Sequence, residues 1–128
     1  MSIDINDIYC RHLLKFVPKY KNQNEIFSSY PHIVLKVTDT IHYNAIKNND
    51  FSDYEKLLNT TDQPEHSLEI FKKLIETFDI QKIEKIKLIY NKEINKYIIT
   101  DGVHRISIIL FKNIFPNSKI PLKYLNIL

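Results

Sequence analysis

One glycine, Gly102, constrains this chain more than any other residue. The backbone can take a positive φ without steric cost, or let a ligand approach closely, at that position alone. Gly102 sits in Thr100-Asp101-Gly102-Val103-His104-Arg105, after the strand-like Tyr97-Ile98-Ile99 and before the apolar run Ile106 to Phe111. Strand, Asp-Gly turn and helix in that order aim backbone N–H groups at an anion, and His104 and Arg105 add donors and positive charge in the first turn. Periodicity alone leaves Ile106 to Phe111 open between helix and strand, because the run is nearly all apolar and rich in β-branched residues.

The other residues read as a scaffold for that corner. With 128 residues, 44% of them hydrophobic, the chain suits one domain with a real core and is too short for two. Its one cysteine, Cys10, allows no internal disulfide and no thiolate metal site, so nothing requires an oxidising compartment. The acidic start, with Asp4 and Asp7, is unlike a signal peptide, and no apolar run reaches the length of a membrane span. A soluble cytoplasmic protein is expected. Residues 1–65 hold 7 Lys/Arg against 9 Asp/Glu and residues 66–128 hold 11 against 6, so the basic excess accompanies the Gly102 corner. That suits a phosphate-bearing ligand. With only two arginines, Arg11 and Arg105, the chain lacks the clusters of a nucleic-acid binder.

In chain order, Ile8 to Val17 predicts a helix capped by Asp4, Asn6 or Asp7 and stopped before Pro18. Residues 19–25 read as a polar loop. Ile33 to Val37 predicts a strand, ended by Thr38-Asp39-Thr40, and Ile41 to Leu58 one broken or two short helices. Asp62-Gln63-Pro64-Glu65 has capping-box spacing. Behind it, Leu68, Phe71, Leu74, Ile75 and Phe78 recur at helical intervals and predict a helix over Ser67 to Phe78. Ile86 to Tyr90 and Tyr97 to Thr100 form a hairpin around a polar loop, and Ile120 to Leu125 a closing strand with Pro121 at an edge or a start.

The order of capped helix, turn, strand, loop, strand, Asp-Gly-Val-His-Arg, apolar helix and Ile-Pro-Leu strand resembles the ParB/sulfiredoxin superfamily over roughly residues 62–127. Sulfiredoxins place a reactive cysteine in this box where the chain has Val103, and Cys10 is no obvious substitute. Chromosome-partitioning ParB proteins carry Gly-Glu-Arg-Arg and bind CTP. They need a DNA-binding helical domain and a dimerisation segment, which the three residues after Leu125 are not expected to supply. The free-serine kinases carry Asp-Gly-His-His-Arg, which residues 101–105 match at four positions of five. That branch is the nearest.

The resemblance implies a compact α/β (α+β) domain with a small mixed sheet, its core at residues 62–128 and a largely helical extension at 1–61 packing on it. It implies nucleotide phosphates held by Gly102, Val103, His104 and Arg105, with ATP or ADP as donor, CTP as a further candidate, and magnesium on Asp101. Phosphate would pass to a small hydroxylated metabolite such as an amino acid, with Glu65, His104 and Asp101 as catalytic residues. Phosphoryl transfer asks a protein mainly to position and neutralise, which such a set can do. For each residue a plainer role competes: Glu65 as the capping-box glutamate, and His104 and Arg105 as first-turn decoration of an ordinary turn. His66 more simply decorates the helix start, His12 packs, and His32 and His42, ten residues apart, have no metal-ligand spacing. The tyrosines and Phe51 of the first half line a second-substrate pocket or form core and surface. A non-catalytic nucleotide or anion sensor and a ParB-like DNA-associated protein are the alternatives.

Overall fold

In the computed structural model, residues 1–13, 27–29, 32–60 and 68–128 are described. Eight strands and four helices follow in order: β1 Ser2–Asp4, β2 Ile8–Leu13, β3 Phe27–Ser29, β4 His32–Lys36, α1 Ile41–Asn48, α2 Ser52–Thr60, α3 Leu68–Thr77, β5 Ile86–Asn91, β6 Lys96–Asp101, α4 Val103–Phe111, β7 Lys119–Pro121 and β8 Leu125–Ile127. The α/β class expected from the sequence holds. A mixed six-stranded sheet runs β3-β4-β2-β6-β5-β8, and β1 pairs with β7 in a separate two-stranded sheet.

The first half is woven into that sheet. The helix expected over Ile8 to Val17 is, in its described part, strand β2, lying antiparallel to β4 and parallel to β6. Its residues alternate: Ile8 and Cys10 enter the main core, whereas Tyr9 packs with Val34 and Ile98. Period-two burial with partners on both sides outweighed an apolar content that read as helical. Asp4 does cap, but only the single 3-10 turn Ile5–Asp7, where its Oδ1 accepts from Asn6 N–H at 2.9 Å.

Ile41 to Leu58 resolves into two helices, α1 and α2. Thr40 Oγ1 accepts from Tyr43 N–H at 3.0 Å to start α1, and Asn49, at φ 49°, ends it in the left-handed conformation that asparagine tolerates. Asp50 Oδ1 accepts from the Ser52 N–H and hydroxyl at the start of α2. Helix α3 falls within a residue of its expected span and buries Phe71; the capping box at Asp62 to Glu65 lies outside the described residues. The expected hairpin is β5 with β6, with Asn95 at φ 56° in its turn.

The run after Gly102 is helix α4, with Ile106, Ser107, Ile108 and Ile109 all buried. A helix apolar all round belongs inside a fold. Ile106 and Ile109 meet Ile86, Leu88 and Ile99 of the sheet, whereas Ile108 joins Ile41, Tyr54 and Phe71 of the helical cluster. Both clusters therefore fix α4. The single closing strand expected over Ile120 to Leu125 divides at Leu122–Tyr124, a 3-10 turn: Ile120 pairs with Ile3 on β1, and Leu125 pairs parallel with Ile86. Pro121 stands at the end of its strand, where its missing N–H interrupts no continuing ladder.

Candidate functional site

The corner predicted around Gly102 exists. Strand β6 ends at Asp101, Gly102 takes φ 125° and ψ 21° as the N-cap, and α4 begins at Val103. A Cβ on Gly102 would lie 3.0 Å from Ile86 Cγ2 and 3.3 Å from Arg105 Nη2. Both the backbone angle and the close packing of the corner on β5 thus require glycine.

Arg105 is engaged within the protein at the corner. Its Nη1 donates to the carbonyls of Glu84 and Lys85 at 2.6 and 3.2 Å, and its Nη2 lies 3.3 Å from Asp101 Oδ1. Only 14% of its side chain is exposed. The guanidinium ties the residues entering β5 to the start of α4. It still borders the cleft described below, as does Asp101, whose carboxylate is about half exposed.

His104, in the first turn of α4, is enclosed by rings. Its imidazole lies edge-on to His42 (centroids 4.5 Å), Phe71 (4.8 Å) and Tyr54 (5.7 Å), and its Nε2 is 2.8 Å from the Tyr54 hydroxyl. These partners come from α1, α3 and α2, so the helical cluster that positions α4 also positions its histidine. Burial pushes the Tyr54 phenol up to about 12 and keeps it protonated.

These residues line a cleft of about 590 Å³, within the range of small-molecule sites. Leu58, Ile70, Phe71, Leu74 and Ile83 supply an apolar body, while Tyr54, His104, Gly102, Arg105 and Asp101 supply a polar end. Lys82 and Glu84 complete the rim. Among the described lining residues the cations Lys82 and Arg105 are matched by Asp101 and Glu84, so their formal charge does not favour an anion. The helix N-terminus does: it carries roughly half a positive charge, and the first-turn amides have no acceptor within the helix.

The sequence-predicted residues fare unequally. Asp101, Gly102, His104 and Arg105 come together at the cleft, and Val103 packs into the core behind it. Glu65 and His66 lie outside the described residues, as do the side chains of His12 and His32. His42, set aside as having no metal-ligand spacing, stands against His104. From the sequence, Tyr54 stands only among the first-half tyrosines that line a second-substrate pocket or form core and surface, and the α3 face is not recognised as part of a site. Phe71 and Leu74 show only core periodicity, and Tyr54 lies fifty residues from its histidine partner. Cys10 is fully buried in β2, where desolvation raises its thiol and leaves it a poor nucleophile. Among the described residues no three His, Cys, Asp or Glu side chains gather as a metal-binding group, and no helix is long and apolar enough to cross a membrane. The chain matches no known family, no curated protein and no solved structure.

Proposed function

We propose that the cleft binds a nucleoside phosphate, with the phosphates at the start of α4 and the nucleoside against Phe71, Leu74 and Ile83. On this reading the protein transfers phosphate from ATP or ADP to a small hydroxylated metabolite in the cytoplasm, as its resemblance to free-serine kinases implies. The observation that carries the reading is the opening of the Gly102 corner, with its side-chain-free cap, onto a cleft with an apolar body and a polar end. The first-turn amides and His104 serve as donors to phosphate oxygens, and Arg105 holds the corner rigid. Magnesium is commonly held by one or two carboxylates plus substrate phosphates, and the half-exposed Asp101 on this rim fits that role. When bound, the ion would neutralise phosphate charge. Glu65 is the base this reading assigns for the acceptor hydroxyl.

One observation favours a second reading, a nucleotide-sensing module without catalysis. Arg105 is committed to two carbonyls and Asp101, so among the described lining residues the exposed Lys82 on the rim is left as the mobile cation for a transferring phosphoryl group. Glu65→Ala separates the two. With ATP and free serine as the first acceptor tried, the kinase reading expects ADP release by the wild type, loss of release in the variant, and ATP affinity within about twofold, since one ligand contact is worth more than that. ATP binding without turnover by the wild type across an acceptor panel would leave the sensor.

A further inference from the structure

We infer that Lys82 is a phosphate-binding residue of the cleft, its ammonium exchanging Asp79 for the anionic tail of the ligand. The inference rests on the nucleotide reading for its ligand, and it holds whether or not phosphate is then transferred.

Lys82 stands in the turn between α3 and β5, where the backbone is pinned at several points. Asp79 Oδ1 accepts from Gln81 N–H at 2.9 Å, the Asp79 carbonyl accepts from Lys82 N–H at 2.9 Å, and the Gln81 side-chain amide donates to the Tyr124 hydroxyl at 3.3 Å. Ile80 and Ile83, on either side of Gln81 and Lys82, pack against the main core. Two residues beyond Lys82, the Glu84 carbonyl accepts from Arg105 Nη1 at 2.6 Å. Two residues of chain span at most about 7 Å, so the guanidinium at the start of α4 also steadies the base from which Lys82 reaches.

The side chain of Lys82 lies outside this framework. It is 83% exposed, and its ion pair among the described residues is with Asp79 Oδ2 at 3.9 Å, a carboxylate itself 44% exposed. A pair that long between solvated groups contributes little, and a flexible four-carbon stem lets the ammonium swing away at small cost. Arg105, the other cation among the described lining residues, has no such freedom: it is 14% exposed and holds two carbonyls and Asp101. The two cations therefore divide the work. Arg105 fixes the corner, where the first-turn amides of α4 meet phosphate, and Lys82 brings its charge to the same cleft from the opposite end of the Glu84 segment. There it forms a charge-assisted hydrogen bond to a phosphate oxygen at the loss of only a weak surface pair.

Calorimetric titration with ATP and with adenosine tests this on the wild type, Lys82→Gln, Lys82→Arg, Asp79→Asn and the Asp79→Asn/Lys82→Gln double variant. Lys82→Gln should weaken ATP about tenfold, the worth of one hydrogen bond to a charged group, and leave adenosine affinity and the urea midpoint as they are. Lys82→Arg keeps the charge and should restore most of the ATP affinity. Asp79→Asn retains an Oδ1 to accept from Gln81 N–H but removes the competing charge, so it should tighten ATP about twofold. That gain should vanish in the double variant. An ATP affinity in Lys82→Gln equal to the wild type's, or an equal loss of adenosine, overturns the inference and leaves the nucleotide reading standing. An Asp79→Asn variant with unchanged ATP affinity, or a gain that persists without Lys82, overturns the exchange. ATP binding to none of the five proteins defeats the nucleotide reading, and the inference with it.

Discussion

The helices α1 and α4 begin in opposite ways. The fully buried Thr40 closes the start of α1: its hydroxyl accepts from Tyr43 N–H and donates to the Val37 carbonyl at 2.7 Å. Asn44 adds bonds from its side-chain amide to the carbonyls of Thr38 and Thr40. Gly102 leaves the start of α4 without a side-chain cap, at a backbone angle other residues rarely adopt, and beside a cleft. A side chain that satisfies the helix end also blocks it. The chain places its one glycine at the end it keeps open. That is a structural cost at α4 that α1 does not bear, and the proposed binding of phosphate there would give it a reason.

Substitutions at the two ends should separate these roles. The largest effect belongs to Gly102→Ala, where the positive φ and the contact with Ile86 together cost about 3 kcal/mol in urea denaturation. Arg105→Ala removes charged hydrogen bonds to two carbonyls and should cost about 2 kcal/mol, with Arg105→Lys restoring only part, since a lysine lacks the planar fork. If Arg105→Ala leaves stability unchanged, the guanidinium is not the tie described here. Thr40→Ala should cost about 1 kcal/mol, the usual worth of a cap, and leave ATP affinity untouched. A loss of ATP binding in Thr40→Ala would erase the contrast between the ends.

The smallest effect is in alkaline solution. The Tyr54 phenol, normally titrating near 10.0, is raised by burial to about 12. The unfolded chain therefore loses this proton first, and the folded state binds more protons between those values. Its contribution to stability is complete below about pH 10 and declines as the pH rises toward about 12. Alkaline denaturation should be shallower in Tyr54→Phe than in the wild type; parallel curves would mean that the phenol is not desolvated.

How much of this was legible in the sequence depended on how local the signal was. The Gly102 corner, α3 and the β5–β6 hairpin were readable because turn chemistry and periodicity act within a few residues. Ile106 to Phe111 was ambiguous alone and became a helix because apolar partners surround it on both sides. Strand β2 was misread because its pairing with β4 and β6 is non-local, joining Tyr9 to Ile98 across most of the chain. For the same reason the polar end of the cleft was visible and its walls were not. Asp101 to Arg105 are adjacent in sequence, whereas Tyr54, Phe71 and Ile83 meet His104 or line its cleft only after folding. Arg105 could be placed at the corner, but not its commitment to the carbonyls of Glu84 and Lys85.

The open end of α4 is best tested by following every backbone amide while ATP is added to nitrogen-15-labelled protein. The account predicts saturable shifts concentrated at Gly102 to Arg105 and at Ile83, with the amides of Ile41 to Tyr43 at the capped end of α1 unmoved. Shifts absent from residues 102–105, or equal at both helix ends, would contradict it.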